Sequence, residues 1–243
     1  MTGTSARGVT GEQATSRWVR DMFGRVSGRY DLLNHLLSFN LDRRWRARAV
    51  ERVAPVLLRE DAQVLDLCCG TGDVLLAMAA KRQGPVFGSD FSHPMLLQAQ
   101  RKGRTRNFAA PLFEADALAL PLRDGALDLI TVAFGFRNFA NYRTGLRELH
   151  RVLKPGGVAA ILEFSQPSQG AFAALYRFFS GRVLPRIGGW ISGSPEAYAY
   201  LPESIQKFPD AEALACEIRN AGFSGIDLQK MTAGVVALHL ATK

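Results

Sequence analysis

Three cysteines in 243 residues cannot build a disulfide framework. Cys68, Cys69 and Cys216 also lack the paired spacing of a structural zinc site, so reduced thiols are expected. The four histidines, His35, His93, His150 and His239, form no recognisable ligand set, and no metal is expected. No apolar run approaches the roughly 20 residues of a membrane-spanning helix. The opening MTGTSARGVTGEQ has no apolar stretch of the signal-peptide kind. These absences point to a cytoplasmic protein of one large or two small domains. The charge is uneven: residues 1–60 hold eleven arginines against six acids, within a chain of net charge +8. That bias suits nucleic acid, an anionic membrane face or an acidic partner, and equally a plain solvated helical surface.

Three parts are expected. Residues 1–13 are small and polar and read as a tail without structure. Residues 14–60 carry a helical rhythm, interrupted near Ser27-Gly28 and Ser38-Phe39-Asn40, and read as a helical cap. From 61 to 243 strands and helices alternate. Strands are expected at Gln63–Leu67, Val86–Ser89, Leu112–Glu114, Leu127–Ala133 and Gly157–Glu163, with helices near Asp73–Arg82, Pro94–Lys102 and Tyr142–Val152. Lys154-Pro155-Gly156-Gly157 reads as a turn. Residues 166–209, rich in aromatics, proline and glycine, read as a helical insertion. A helix capped by Asp210 and two strands, near Gly225–Thr232 and Gly234–Thr242, complete the chain. Such alternation implies an α/β fold with a mostly parallel sheet covered by helices on both faces.

The stretch VLDLCCGTGD, Val64 to Asp73, ends an apolar run in a glycine-rich corner with an acid at each end. A phosphate-binding loop needs a lysine after its glycines, and here Asp73 follows Gly70-Thr71-Gly72. The dinucleotide fingerprint fails as well, since Leu75 stands at its third glycine, and Asp73 would repel a pyrophosphate. A cationic ligand suits the corner better. S-adenosylmethionine carries a sulfonium, an ammonium and a carboxylate, and no phosphate. Asp66 is placed to shape the loop or attract the cationic end. Asp90, ending the next strand, is placed to accept ribose hydroxyls, and Asp116 with the Ala117 amide to read the adenine. Taken singly, each acid is as well explained by a helix cap or a solvated loop; three at successive strand ends are not.

VLDLCCGTGD, GSDFSHPML, FEADALALPL and LDLITVAFGFRN resemble the successive motifs of class I methyltransferases, with Cys68 standing where many members have the loop's first glycine. The resemblance implies a Rossmann-like seven-stranded sheet and S-adenosylmethionine as co-substrate, held by Asp66, Gly70, Thr71, Gly72, Asp90, Asp116, Ala117 and Ala133. YDLLNHLLSFNLDRRW (Tyr30–Trp45) and RVLKPGGVAAILEFS (Arg151–Ser165) are similar to the two signatures of the quinone C-methyltransferases of menaquinone and ubiquinone biosynthesis. Leu33, Asp42 and Ala159 depart from that pattern; Asp42 replaces a usual histidine. CCGTGD and EFSQP are closer to the menaquinone branch. A ubiquinone precursor or a phylloquinone-type quinol remains the alternative substrate.

The resemblance implies transfer of a methyl group to a ring carbon of a prenylated quinol. An ortho oxygen must supply electron density as a phenolate, so the ring must be reduced. Arg137 and Asn138, in FGFRN, and Tyr30 of the cap are the candidate catalytic residues; a guanidinium stabilises charge and does not ordinarily act as a base. The competing readings are an Arg–acid bridge, a helix-capping Asn and a core Tyr. Phe172, Tyr176, Phe178, Phe179 and Trp190, interleaved with Arg177, Arg182 and Arg186, suit an isoprenoid tail and transient contact with the inner face of the membrane, or a face packed on the sheet. No nucleic-acid partner is expected, because no Asn/Asp-Pro-Pro-aromatic motif follows the fourth strand. A homodimer is compatible with the reading. An RNA methyltransferase and a non-catalytic cofactor-binding scaffold are the rivals.

Overall fold

The computed structural model describes residues 3–4, 8–167 and 195–243. Seven strands make one sheet: β1 Val64–Leu67, β2 Val86–Asp90, β3 Leu112–Glu114, β4 Leu127–Ala133, β5 Leu153–Phe164, β6 Gly225–Met231 and β7 Val236–Thr242. Their order is β3-β2-β1-β4-β5-β7-β6, and β7 alone runs opposite to the other six. The order reverses between β1 and β4, which leaves a crevice at the carboxyl ends of the strands where α/β sheets take their ligands.

β1, β4 and residues 159–163 of β5 are buried because both faces of the sheet's centre are covered, and alternation sorts their side chains, whereas the edge strand β6 is partly exposed. Val64, Leu129 and Ala160 face one core, with α5 (Asp73–Ala79); Leu65, Ile130 and Ile161 face the other, with α7 (Tyr142–Val152) and α9 (Ala211–Asn220). Asn141 and Asp210 cap α7 and α9, accepting the N–H of Thr144 at 3.0 Å and of Ala213 at 2.8 Å.

The N-terminal region is helical, as expected, but it divides. α1 (Glu12–Val26) and α2 (Tyr30–Leu37) roof the crevice, whereas α3 (Leu41–Arg52) and α4 (Ala54–Leu57) belong to the sheet's own covering. The reason is a stripe of Trp45, Ala49, Val50, Val53 and Leu57, all buried in the first core. Trp45 is tied across the sheet by donating its indole N–H to Thr232 Oγ1 at 2.8 Å. The tail also differs from expectation, since α1 starts at Glu12 and the Thr4 N–H donates to Phe139 O at 2.8 Å.

Lys154-Pro155-Gly156-Gly157 is not a turn between elements. The pairing of β4 with β5 runs Leu127↔Leu153 and resumes at Leu129↔Val158, so these residues bulge out of one continuous strand. Of the expected insertion 166–209, α8 (Pro195–Lys207) is helical. Its proposed tail-binding residues, Phe172, Tyr176, Arg177, Phe178, Phe179, Arg182, Arg186 and Trp190, lie outside the described residues.

Candidate active site

The turn after β1 is built from positive φ: Cys68 at 54°, Gly70 at 54° and Gly72 at 88°. Glycine adopts this region without penalty, and cysteine does not. Asp90 then ties the turn to the next strand. Its two oxygens accept the Gly70 and Ser92 N–H groups, each at 2.9 Å. Burial pushes its carboxyl up to about 6, against the pull of those amides.

Asp66 and Thr131 are register partners on β1 and β4, and the threonine hydroxyl donates to Asp66 Oδ1 at 2.5 Å. Asp66 Oδ2 is buried and has no partner among the described residues. Burial pushes this carboxyl up to about 7, opposed by Thr131, the Leu75 amide and the charge of Arg46. An acceptor held dry and unpaired beside a glycine turn suits a cationic group that replaces the missing solvation.

Asp73, the other acid of the corner, has a different task. It pairs with Lys102 of α6 (His93–Thr105) at 2.7 Å, and Lys102 reaches Asp31 of α2 at 2.6 Å. Thr71 donates its hydroxyl to Asp31, and Arg46 of α3 stands 3.5 Å from Asp73 and bonded to Asp42. The acids framing the corner are therefore divided in labour. Asp66 keeps an unpaired oxygen beside the turn, and Asp73 fastens the roof. The Thr71 side chain, expected on the cofactor, is turned to the roof, because Asp31 supplies its acceptor.

The crevice encloses about 630 Å³ of space open to solvent. Tyr30, Asp90, Asp116, Ala117, Ala133 and Asn138 all line it, with Cys68, Phe23 and Phe134. Asp116 sits at the exposed rim and accepts the Leu118 N–H at 2.9 Å. Tyr30 meets Phe23 edge-on with ring centroids 5.9 Å apart; burial raises its hydroxyl pKa, partly offset by the charge of Arg137, so the phenol keeps its proton. Asn138 Oδ1 accepts the Tyr200 hydroxyl at 3.0 Å, leaving the amide N–H groups as donors.

Arg137 does not line the crevice. It is 4% exposed, with Nη1 at 2.9 Å from Glu163 Oε1 and its backbone N–H at 3.1 Å from Oε2. The guanidinium lies over the Phe164 ring at 5.3 Å, and its Nε is buried with no acceptor among the described residues. The arrangement is the Arg–acid bridge, one layer behind Tyr30 and Asn138. Asp31, Arg46, Lys102, Glu163 and Tyr200 were missed as members of the site. Only Glu163, an acid at the end of the apolar run VAAIL, carried a local signal.

Among the described residues one group has metal-ligand spacing: His35, Asp42 and Asp73, with ligand atoms within 4.8 Å of one another. The guanidinium of Arg46 already bonds Asp42 and lies 3.5 Å from Asp73, so a fixed cation occupies that position.

The sequence profile of the ubiE/COQ5 methyltransferase family matches residues 10–243. The chain is 49% identical over 223 residues to the demethylmenaquinone methyltransferase of Thermus thermophilus, covering 91% of this chain and all of that protein. It is 41% identical to the protein of the same name from Deinococcus radiodurans, over the full length of both. The ubiquinone/menaquinone biosynthesis C-methyltransferase UbiE of Geotalea uraniireducens is 39% identical, covering 93% of this chain and 96% of that protein. Among solved structures, an S-adenosylmethionine-dependent methyltransferase of Thermotoga maritima, described as a possible histamine N-methyltransferase, superposes with a TM-score of 0.64 at 16% identity, covering 92% of this chain and 99% of its own. One from Aquifex aeolicus gives 0.54 at 20%, covering 79% and 88%. At those identities the likeness shows the fold alone. The chain belongs to the ubiE/COQ5 methyltransferase family.

Proposed function

We propose that the protein methylates a ring carbon of a prenylated quinol, converting demethylmenaquinol to menaquinol. The observation that carries this reading is the identity, over the whole length of both relatives, with two demethylmenaquinone methyltransferases, at 49% and 41%. S-adenosylmethionine supplies a methyl carbon made electrophilic by its sulfonium. Asp90 and Asp116 would hold its ribose and adenine, the turn Gly70–Gly72 would lie close against it, and the unpaired Asp66 oxygen would meet its cationic end.

The rest is work for the chain's own donors. The quinol ring gives up a proton from oxygen to become nucleophilic; once methylated, the attacked carbon loses its proton to regain aromaticity and the oxygen regains one, so a single proton is released to solvent overall. Two groups lining the crevice, the Tyr30 hydroxyl and the Asn138 amide, can donate to the developing phenolate oxygen. Tyr200 fixes Asn138 as a donor. Arg137, held by Glu163, adds positive charge behind them at a distance from which it already acts on Tyr30. These three roles are part of the proposal.

The protein's lipid substrate also implies a bilayer. Leu32, Leu36 and Phe39, 61%, 48% and 72% exposed, lie at i, i+4 and i+7 beside exposed Arg43 and Arg44. That combination supports contact with an anionic membrane surface. No described helix is long and apolar enough to cross a membrane.

The test is a choice of substrates. With equal S-adenosylmethionine and reductant, reduced demethylmenaquinone should gain a ring methyl group at a higher kcat/KM than a reduced ubiquinone precursor. The reverse preference would move the protein to the ubiquinone branch.

A further inference from the structure

A small recess, about 330 Å³ when its mouth open to solvent is included, adjoins the crevice and shares Tyr30, Cys68 and Ala133 with it. Arg46, Asp66, Thr71 and Asp73 supply its polar lining. Most of that polarity is already matched. Asp73 is paired with Lys102, and the Thr71 hydroxyl is given to Asp31. Two capacities remain. Asp66 is 1% exposed and its Oδ2 has no partner. Arg46 is 9% exposed, gives Nη1 to Asp42, and lies over the Phe134 ring at 5.4 Å. Its Nε and Nη2 make no hydrogen bond among the described residues.

A lone carboxylate acceptor and a guanidinium fork lining one small recess are complementary to an α-amino acid, whose ammonium and carboxylate sit on one carbon. We infer that Arg46 receives the α-carboxylate of the methionine end of S-adenosylmethionine, while Asp66 takes its ammonium. The inference rests on the co-substrate assignment and goes beyond it. It makes α3, a helix of the N-terminal region, part of the cofactor site. Asp42 is then a positioning residue. It holds Arg46, and is itself held by Ser38 Oγ at 2.7 Å and His35 Nδ1 at 2.7 Å. The residue that departs from the family's usual histidine thereby acts on the cofactor through Arg46.

The test is calorimetric titration, without quinol, of three compounds. S-adenosylmethionine has the whole amino-acid end, its decarboxylated form lacks only the carboxylate, and 5′-methylthioadenosine lacks both groups. Arg46→Met should weaken S-adenosylmethionine by about 10- to 100-fold, the loss of a charge-assisted hydrogen bond. Affinity for the other two should stay within about twofold, and their retained binding also reports an intact fold. Asp42→Asn should reproduce the same selectivity with a smaller loss. If Arg46→Met does not fold, Arg46→Lys carries the test, with a loss of several-fold confined to the carboxylate-bearing compound. An equal loss for all three compounds would reduce Arg46 to docking the roof and overturn the inference, as would no loss at all. Wild-type protein that binds none of the three would overturn the co-substrate assignment as well.

Discussion

Arg137 and Glu163 face each other inside the protein, with Nη1 at 2.9 Å from Oε1 and both residues at most 4% exposed. Removing one partner of such a pair strands the other's charge and costs about 3–5 kcal/mol, whereas replacing both by apolar groups costs far less. Arg137→Ala and Glu163→Ala should each lower the unfolding free energy by about that amount in urea melts. Arg137→Met with Glu163→Leu should recover most of it. The double variant then isolates the chemistry. If the charge of Arg137 steadies the quinol oxygen, the single-turnover rate per folded molecule stays down by about 10²–10³ even where stability returns. A near-normal rate in the double variant would make the pair structural only.

Cys68 and Gly135 constrain one another. A Cβ on Gly135 would lie 2.5 Å from Cys68 Cβ and 3.2 Å from its Sγ. Gly135→Ala should therefore destabilise by about 1–3 kcal/mol through overpacking. Cys68→Gly should stabilise by about 1 kcal/mol, since it removes a side chain held at φ 54°. Combined, the two should be non-additive, with Cys68→Gly rescuing Gly135→Ala. Strictly additive melting shifts would show that the clash is relieved some other way.

The expected glycine at position 68 was legible from the motif, and so were the strand ends that place Asp66 and Asp90. Each is an apolar run stopped by turn residues, a local signal. What escaped the sequence was non-local. Asp73 finds Lys102 29 positions away, Thr71 finds Asp31 40 away and Arg137 finds Glu163 26 away. No periodicity encodes such pairs. Lys154-Pro155-Gly156-Gly157 has real turn chemistry, and only its register against β4 shows that the strand passes through it as a bulge. Trp45 was read within a cap because the arginines of LDRRWRAR hide the apolar stripe that packs on the sheet.

Asp66 and Asp90 set a pH dependence. Their folded carboxyls lie near 7 and 6, raised by burial above 3.8, so the folded state holds protons that the unfolded state has lost. Their contribution is fully favourable below about pH 4 and is lost as pH rises to about 7. Without ligand, Asp66→Asn should flatten the stability profile across that window by on the order of 2–4 kcal/mol relative to wild type. The cationic end of S-adenosylmethionine favours the ionised form, so binding at pH 6 should release a proton that is no longer released at pH 8.5. Calorimetry in two buffers of different ionisation enthalpy reads this directly. Identical proton counts at both pH values would remove Asp66 from the cationic end.

Carbon methylation of a reduced ring is the reaction proposed for this protein. The most direct measurement supplies S-adenosylmethionine with a ¹³C-labelled methyl group to demethylmenaquinone in vesicles, with and without reductant, and follows the label by NMR. The account predicts that the label appears on a ring carbon in the reduced sample and that the oxidised sample stays unlabelled. Label on a quinol oxygen, or equal labelling of reduced and oxidised rings, would contradict it.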